Sequence, residues 1–158
     1  MSSTGLDVAG RAVPHRARGY ELEGGKLVPT DPVDVSYKYA SGGMLSSAED
    51  LVRLGVALNQ GKLMGAAARA QMWSPQLPVV RRFRTDGPPV IERFQQGYLW
   101  RLVKRPYGGF VYMCGSFNGF NVCILDDTRR DLVAAIAYNK EEGGLRSLER
   151  LAGLVRKP

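Results

Sequence analysis

Apolar residues in the second half of the chain fall into four short runs with turn-formers between them. From position 96 to 140 the chain reads Gln-Gly-Tyr-Leu-Trp-Arg-Leu-Val, then Gly-Gly-Phe-Val-Tyr-Met-Cys-Gly-Ser, then Gly-Phe-Asn-Val-Cys-Ile-Leu, then Asp-Leu-Val-Ala-Ala-Ile-Ala-Tyr-Asn. Pro106-Tyr107-Gly108-Gly109, Ser116-Phe117-Asn118-Gly119 and Asp126-Asp127-Thr128-Arg129 separate them. β-Branched and aromatic runs punctuated in this way predict an antiparallel meander.

Two helical patterns flank it. Ser46 with Glu49 makes a capping box, Leu51, Leu54, Gly55 and Leu58 follow as an apolar stripe, and Gly61 supplies a stop. A shorter helix is predicted over 65–73, ahead of Pro75. At the other end Leu145, Leu148, Ala152 and Val155 share one helical face, with Arg146, Glu149, Arg150 and Arg156 more polar. Residues 1–40 lack periodicity and read as extended loop with one short hairpin over 20–28, and 78–89 reads as a basic, proline-containing connector.

These elements predict an α/β chain of the α+β type. An antiparallel sheet of three to five strands packs against a C-terminal helix, beside a small helical and loop region. The chain is read as one domain: loops over 1–45, a helical part over 46–75, and sheet plus helix over 90–158.

Composition changes this picture little. The 158 residues are 44% hydrophobic and 23% charged, ordinary for a globular protein with a core. No apolar run approaches the roughly 20 residues of a membrane helix, and the N-terminus has no basic segment leading into an apolar one. The expectation is therefore no membrane and, by default, the cytoplasm. The net charge of +7 is scattered, with one cluster, Arg81-Arg82-Phe83-Arg84, read as a solvated patch. No nucleic-acid motif accompanies it, so no nucleic-acid partner is expected.

Candidate chemistry is sparse. One histidine and two cysteines nine apart fit no zinc spacing, and Gly42-Gly43 is explained by a turn rather than a phosphate loop, so neither metal nor cofactor is expected. A hairpin with Gly115 facing Phe120 puts Cys114 opposite Asn121 and Cys123 one step diagonal, which predicts two free thiols. Cys114 as a nucleophile needs a base, and His15 sits in a loop with nothing fixing it nearby, so Cys114 is read as a small apolar filler. Tyr112, Tyr98 and Trp100 are read as core, and Ser46 as a helix cap.

Three segments, in order, resemble the C-terminal part of the serine β-lactamase-like family, which includes class C β-lactamases, D-alanyl-D-alanine carboxypeptidases and related esterases. They are Met1-Ser-Ser-Thr-Gly-Leu-Asp; Ala17-Arg18-Gly19-Tyr20 with Ala40-Ser41-Gly42-Gly43-Met44-Leu45-Ser46-Ser47-Ala48-Glu49-Asp50-Leu51; and Gly97-Tyr98-Leu99-Trp100 with Val111-Tyr112-Met113-Cys114-Gly115, Gly119-Phe120 and Ala137-Tyr138-Asn139. The second is the most specific. The resemblance implies a partial β-lactamase/transpeptidase-like fold and, for the full family, hydrolysis of a small amide or ester through an acyl-serine.

The departures are as informative. The family's Ser-x-x-Lys and Tyr-x-Asn motifs occur nowhere in these residues. Its third motif carries a lysine or histidine where this chain has Met113, so Met113, Cys114 and Gly115 are a remnant and the Ser116 N–H matches an oxyanion-type donor. The resemblance thus implies a fragment without activity by itself, one that pairs with an N-terminal half of the same fold or self-associates across an unpaired sheet edge. A non-catalytic binding module using the groove beside 114–116, or a fragment without function, are the alternatives.

Overall fold

A computed structural model of the protein describes residues 1–84, 90–105, 108–140 and 143–154. In chain order these form β1 (Gly5–Leu6), β2 (Tyr20–Glu23), β3 (Lys26–Pro29), a 3-10 turn (Ser36–Ser41), β4 (Met44–Leu45), α1 (Ala48–Asn59) and α2 (Ala66–Met72). There follow β5 (Leu77–Arg84), β6 (Val90–Gln96), β7 (Arg101–Arg105), β8 (Gly108–Phe117), β9 (Phe120–Asp127), β10 (Leu132–Tyr138) and α3 (Gly144–Leu154). The predicted hairpin over 20–28 is β2–β3, and β1 pairs with β4.

The main sheet is antiparallel, in the order β10-β9-β8-β7-β6-β5. The mixed, antiparallel class with a C-terminal helix is the one the sequence pattern implies, and the sheet is wider than three to five strands. The extra width is β5, where the sequence suggested a connector, and β6, which precedes the four apolar runs inside the range read as sheet. Leu77, Val79 and Phe83 alternate with other residues, and Pro78 fits because β5 is an edge strand, where a missing N–H costs no ladder bond. The side chains of residues 81–84, and Val155 of the predicted helical face, lie outside the described ones.

Strand alternation sorts the core into two layers. Phe94, Val103, Tyr112, Cys123 and Leu125 face α3, where Leu145, Leu148 and Ala152 meet them. Val111, Met113, Ile124, Val133 and Ala135 face the other way, with Trp100 and with Leu51, Leu54 and Leu58 of α1. Tyr112 and Leu148 are fully buried, and each such apolar side chain contributes about 2 kcal/mol from area alone. Both helices lie over β9 and β10, on opposite faces. No helix among the described residues is long and apolar enough to cross a membrane.

The start of α1 is shifted by one residue from the capping box expected. Ser47 is the N-cap, and its hydroxyl accepts from the Asp50 N–H at 3.2 Å. Ser46 instead donates to Thr4 Oγ1 at 2.8 Å. The Asp50 carboxylate is thereby freed to receive the Ser3 N–H, the Thr4 hydroxyl and Arg53 Nη1, each at 2.8 Å. The chain's first segment is thus tied to the helix start.

Candidate functional site

The remnant motif lies on the last residues of β8, and the hairpin that follows fixes its geometry. Phe117 pairs with Phe120, so the loop is only Asn118 and Gly119, at φ +49 and +77. Two left-handed residues, Asn then Gly, make the primed turn that matches strand twist. The register then runs Ser116–Asn121, Gly115–Val122, Cys114–Cys123 and Met113–Ile124.

This register overturns the free-thiol reading. A two-residue loop, not the wider one assumed, puts Cys114 directly opposite Cys123, and the two form a disulfide with Cα atoms 4.2 Å apart. Cys114 is therefore neither an apolar filler nor a thiol nucleophile. His15 is exposed in its loop at φ +59. Tyr112 packs edge-on to Phe94, centroids 6.4 Å apart, inside the α3 layer, and Trp100 stands edge-on to Trp73 at 6.1 Å. Tyr98 is exposed rather than core.

The other side of β8 is open at this end. Rungs to β7 stop at Arg101–Tyr112. In a two-residue hairpin the residues flanking the turn form the hydrogen-bonded pair, and the pairs alternate from there. Residues 117, 115 and 113 therefore bond β9, while the N–H and C=O of Cys114 and Ser116 point toward the side where β7 has ended. Gly115 is exposed, and a Cβ built on it meets nothing within 4 Å. The Ser116 hydroxyl is committed to the Phe120 carbonyl at 3.1 Å, which leaves its N–H as the outward-facing group. Met113 packs with Trp100 and Ile124 on the α1 face.

The first third of the chain holds this hairpin in place. Thr30 Oγ1 donates to the Asn118 carbonyl at 3.1 Å, Asn118 Nδ2 donates to the Asp31 carbonyl at 3.0 Å, and the Tyr20 N–H reaches the carbonyls of Gly119 and Asn139. Gly19 permits the approach, since a Cβ there would lie 2.4 Å from the Asn118 carbonyl oxygen. The 3-10 turn reaches the same end of β8: Lys38 Nζ stands 3.1 Å from the centroid of the Phe117 ring. Gly43 lets that turn close, as a Cβ there would lie 2.5 Å from the Val35 carbonyl oxygen.

One titratable group stands out on the α1 face of β9. Asp126 is fully buried, and Asn59 Nδ2 donates to its Oδ1 at 3.1 Å while Oδ2 has no hydrogen-bond partner. Burial pushes its pKa up to about 6, against the Asn59 hydrogen bond and the positive charge of Arg69. Sequence reading missed Asp126, Lys38 and the disulfide. Only the last had a signal, the Asn-Gly dipeptide.

In chemical terms the site is a wall: an exposed strand edge with an outward N–H and a nearby ammonium. Ser46 and Ser116 both have their hydroxyls engaged, and among the described residues neither hydrogen-bonds a lysine or histidine.

The Beta-lactamase family profile matches residues 1–156. No curated protein matches the chain at a significant level. Among solved structures, a penicillin-binding protein from Bacillus halodurans is similar with a TM-score of 0.73 at 18% identity, over 96% of this chain and 44% of that one. A D-stereospecific amidohydrolase from Streptomyces sp. gives 0.70 at 18% identity, over 99% and 45%. The D-amino acid amidase from Ochrobactrum anthropi SV3, complexed with D-phenylalanine, gives 0.60 at 19% identity, over 97% and 46%. At these identities the likeness establishes the fold, and the chain spans less than half the length of each.

Proposed function

This chain belongs to the Beta-lactamase family, and we propose that it is the C-terminal share of a serine-hydrolase fold, supplying one wall of an acyl-transfer site whose nucleophile an N-terminal half provides. The supporting observation is the end of β8, where the Ser116 N–H faces outward beside an exposed Gly115, with no serine–lysine hydrogen bond among the described residues. A positioned donor stabilises an oxyanion only after something has attacked the carbonyl. By this reading Ser116 is an oxyanion donor, Gly115 gives room for a ligand, and Met113 and Cys114 are scaffold. The ligand is a small amide or ester.

The two edges of the sheet favour completion on one side. β5 carries Pro78 and three arginines, features that discourage further pairing. β10 reads Leu-Val-Ala-Ala-Ile-Ala-Tyr, without a charge or proline, and among the described strands its partner is β9. Strands of an N-terminal half fit beside β10.

The isolated chain, given a chromogenic β-lactam or a nitrophenyl ester, is expected to show no turnover above buffer. Turnover accompanied by an acyl adduct on this chain in the mass spectrum overturns the reading. A non-catalytic binding module is the second reading, and the same open edge favours it: saturable ligand binding with no turnover even beside an N-terminal half distinguishes the two.

A further inference from the structure

The Cys114–Cys123 disulfide crosses from β8 to β9 at the rung next to Gly115. Residues 113, 115 and 117 carry the backbone hydrogen bonds to β9, so the bridge sits at a rung with none of its own, where facing Cα atoms come closest. Beyond Tyr112, β8 has no rung to β7. The bridge is therefore a staple on the stretch that presents Ser116.

The two sulfurs differ in access. α3 lies over β9 and β10, so Cys123 on β9 is covered and 1% exposed, while Cys114 on β8 is half-buried. A thiolate attacks a disulfide in line with the bond. Between directly opposed residues that bond runs from strand to strand, so the approach to Cys114 Sγ comes from the side of β8 that β7 has left open. The sulfur expelled, that of Cys123, lies against the first residue of α3: a Cβ on Gly144 would stand 2.8 Å from it. The N-terminal end of a helix carries partial positive charge and stabilises a thiolate, and a leaving thiolate of lower pKa departs faster.

We propose that this disulfide is a thiol-exchange site attacked at Cys114, and that its redox state sets how firmly the Ser116 N–H is held. One thiolate of a dithiol reductant bonds Cys114 Sγ, and the sulfur–sulfur bond breaks with its electron pair leaving on Cys123, which takes up a proton. The reductant's second thiolate then attacks its own sulfur in the mixed disulfide and expels Cys114, which is protonated in turn. Two electrons pass to the chain, and the reductant becomes a disulfide. The fold survives, because the backbone bonds at 113, 115 and 117 and the bonds of Asn118 to Thr30 and Asp31 remain. The importance of Ser116 rests on the functional reading; the exchange chemistry does not.

The experiment treats the oxidised full chain, without denaturant, with excess glutathione, traps free thiols with N-ethylmaleimide in acid and maps the peptides. The first mixed disulfide is expected on Cys114, with Cys123 alkylated. With dithiothreitol the rate of reduction is expected to rise in proportion to reductant and to change by less than about twofold in about 1 M urea, since attack on the folded chain exposes little new surface. In the reduced chain the heteronuclear NOE of Ser116 is expected to fall while that of Leu54 in α1 holds. Cys114→Ser is expected to give the same low value with and without dithiothreitol. A first adduct on Cys123, a rate that climbs about tenfold with urea as passage through unfolding requires, or a Ser116 as rigid reduced as oxidised each overturns the proposal. These readouts need neither a ligand nor an N-terminal half, so they stand or fall apart from the functional reading.

Discussion

Gly55 of α1 lies directly on Val133 of β10: a Cβ built there would sit 2.6 Å from Val133 Cγ1 and 3.2 Å from Cγ2, with Ile124 Cδ1 at 3.4 Å. Both branches of one valine are in the way, so no single rotamer change clears the space. This contact sets how closely α1 approaches the sheet. Alanine at 55 would gain about 1 kcal/mol of helix propensity, yet the overpacking costs about 1–3 kcal/mol. Gly55→Ala is expected to be less stable than wild type in urea melts. A gain in stability would place the helix farther from the sheet.

Asp126 makes stability depend on pH in an unusual direction. Its pKa is raised to about 6 by burial, so between roughly pH 4 and 6 the folded chain holds more protons than the unfolded one. Stability from this group is present at low pH and lost as pH rises through 6, by about 3 kcal/mol in total. Denaturation at pH 4.5 and 7 should show wild type losing stability relative to Asp126→Asn as pH rises. Parallel profiles for the two proteins would contradict this.

Asp50 acts in the opposite sense. Burial alone would raise its pKa, but the hydrogen bonds from Arg53, Thr4 and the Ser3 backbone outweigh it and hold the carboxyl below its ordinary value. Its contribution is present above the unfolded pKa and fades as pH falls through the folded one. Asp50→Ala should lower the melting temperature at pH 7 and speed exchange of the amide of Ser3. Protection of that amide equal to wild type would count against the tether.

The disulfide closes a loop of about ten residues, worth about 2–3 kcal/mol by chain entropy. Cys114→Ser should lose about that much, and unfolded wild type without reductant should show no thiol reactive to Ellman's reagent. Two reactive thiols per chain would remove the bridge from the fold.

The bare β10 edge predicts association. Sedimentation of the isolated chain should show mass rising with concentration, and Ala137→Lys, a charge at an exposed position on that edge, should reduce it. A wild-type monomer at every concentration would mean the edge is already protected.

Much of this fold is written locally. The meander, both helix stripes and the Gly119 turn rest on periodicity and turn chemistry, which act over a few residues. The errors came where one residue decides between neighbours. Ser46 and Ser47 carry the same capping signal, and only the pull of Thr4 on Ser46 separates them. The hairpin loop was read two residues too long, which broke the facing of Cys114 and Cys123 although Asn118-Gly119 stood in view. β5 was obscured because Pro78 and the arginines that suit an edge strand also look like a linker. Lys38 had no sequence signal, since its meaning lies in a contact with Phe117, 79 positions later.

The grip of residues 18–31 on the Asn118–Gly119 hairpin has a kinetic consequence. Its side-chain hydrogen bonds to the hairpin span 87 and 88 positions of chain, and the neighbouring bond from Asn139 Nδ2 to the Arg18 carbonyl spans 121. Contacts of such long sequence separation are made late, because the loop they close must be paid for in entropy before they reward it. On a ribosome the segment 18–31 emerges long before the hairpin it will hold. Its own β2–β3 hairpin can close early, but its bonds to residues 118 and 119 wait until those residues have followed, and the wall of the site is among the last features to assemble.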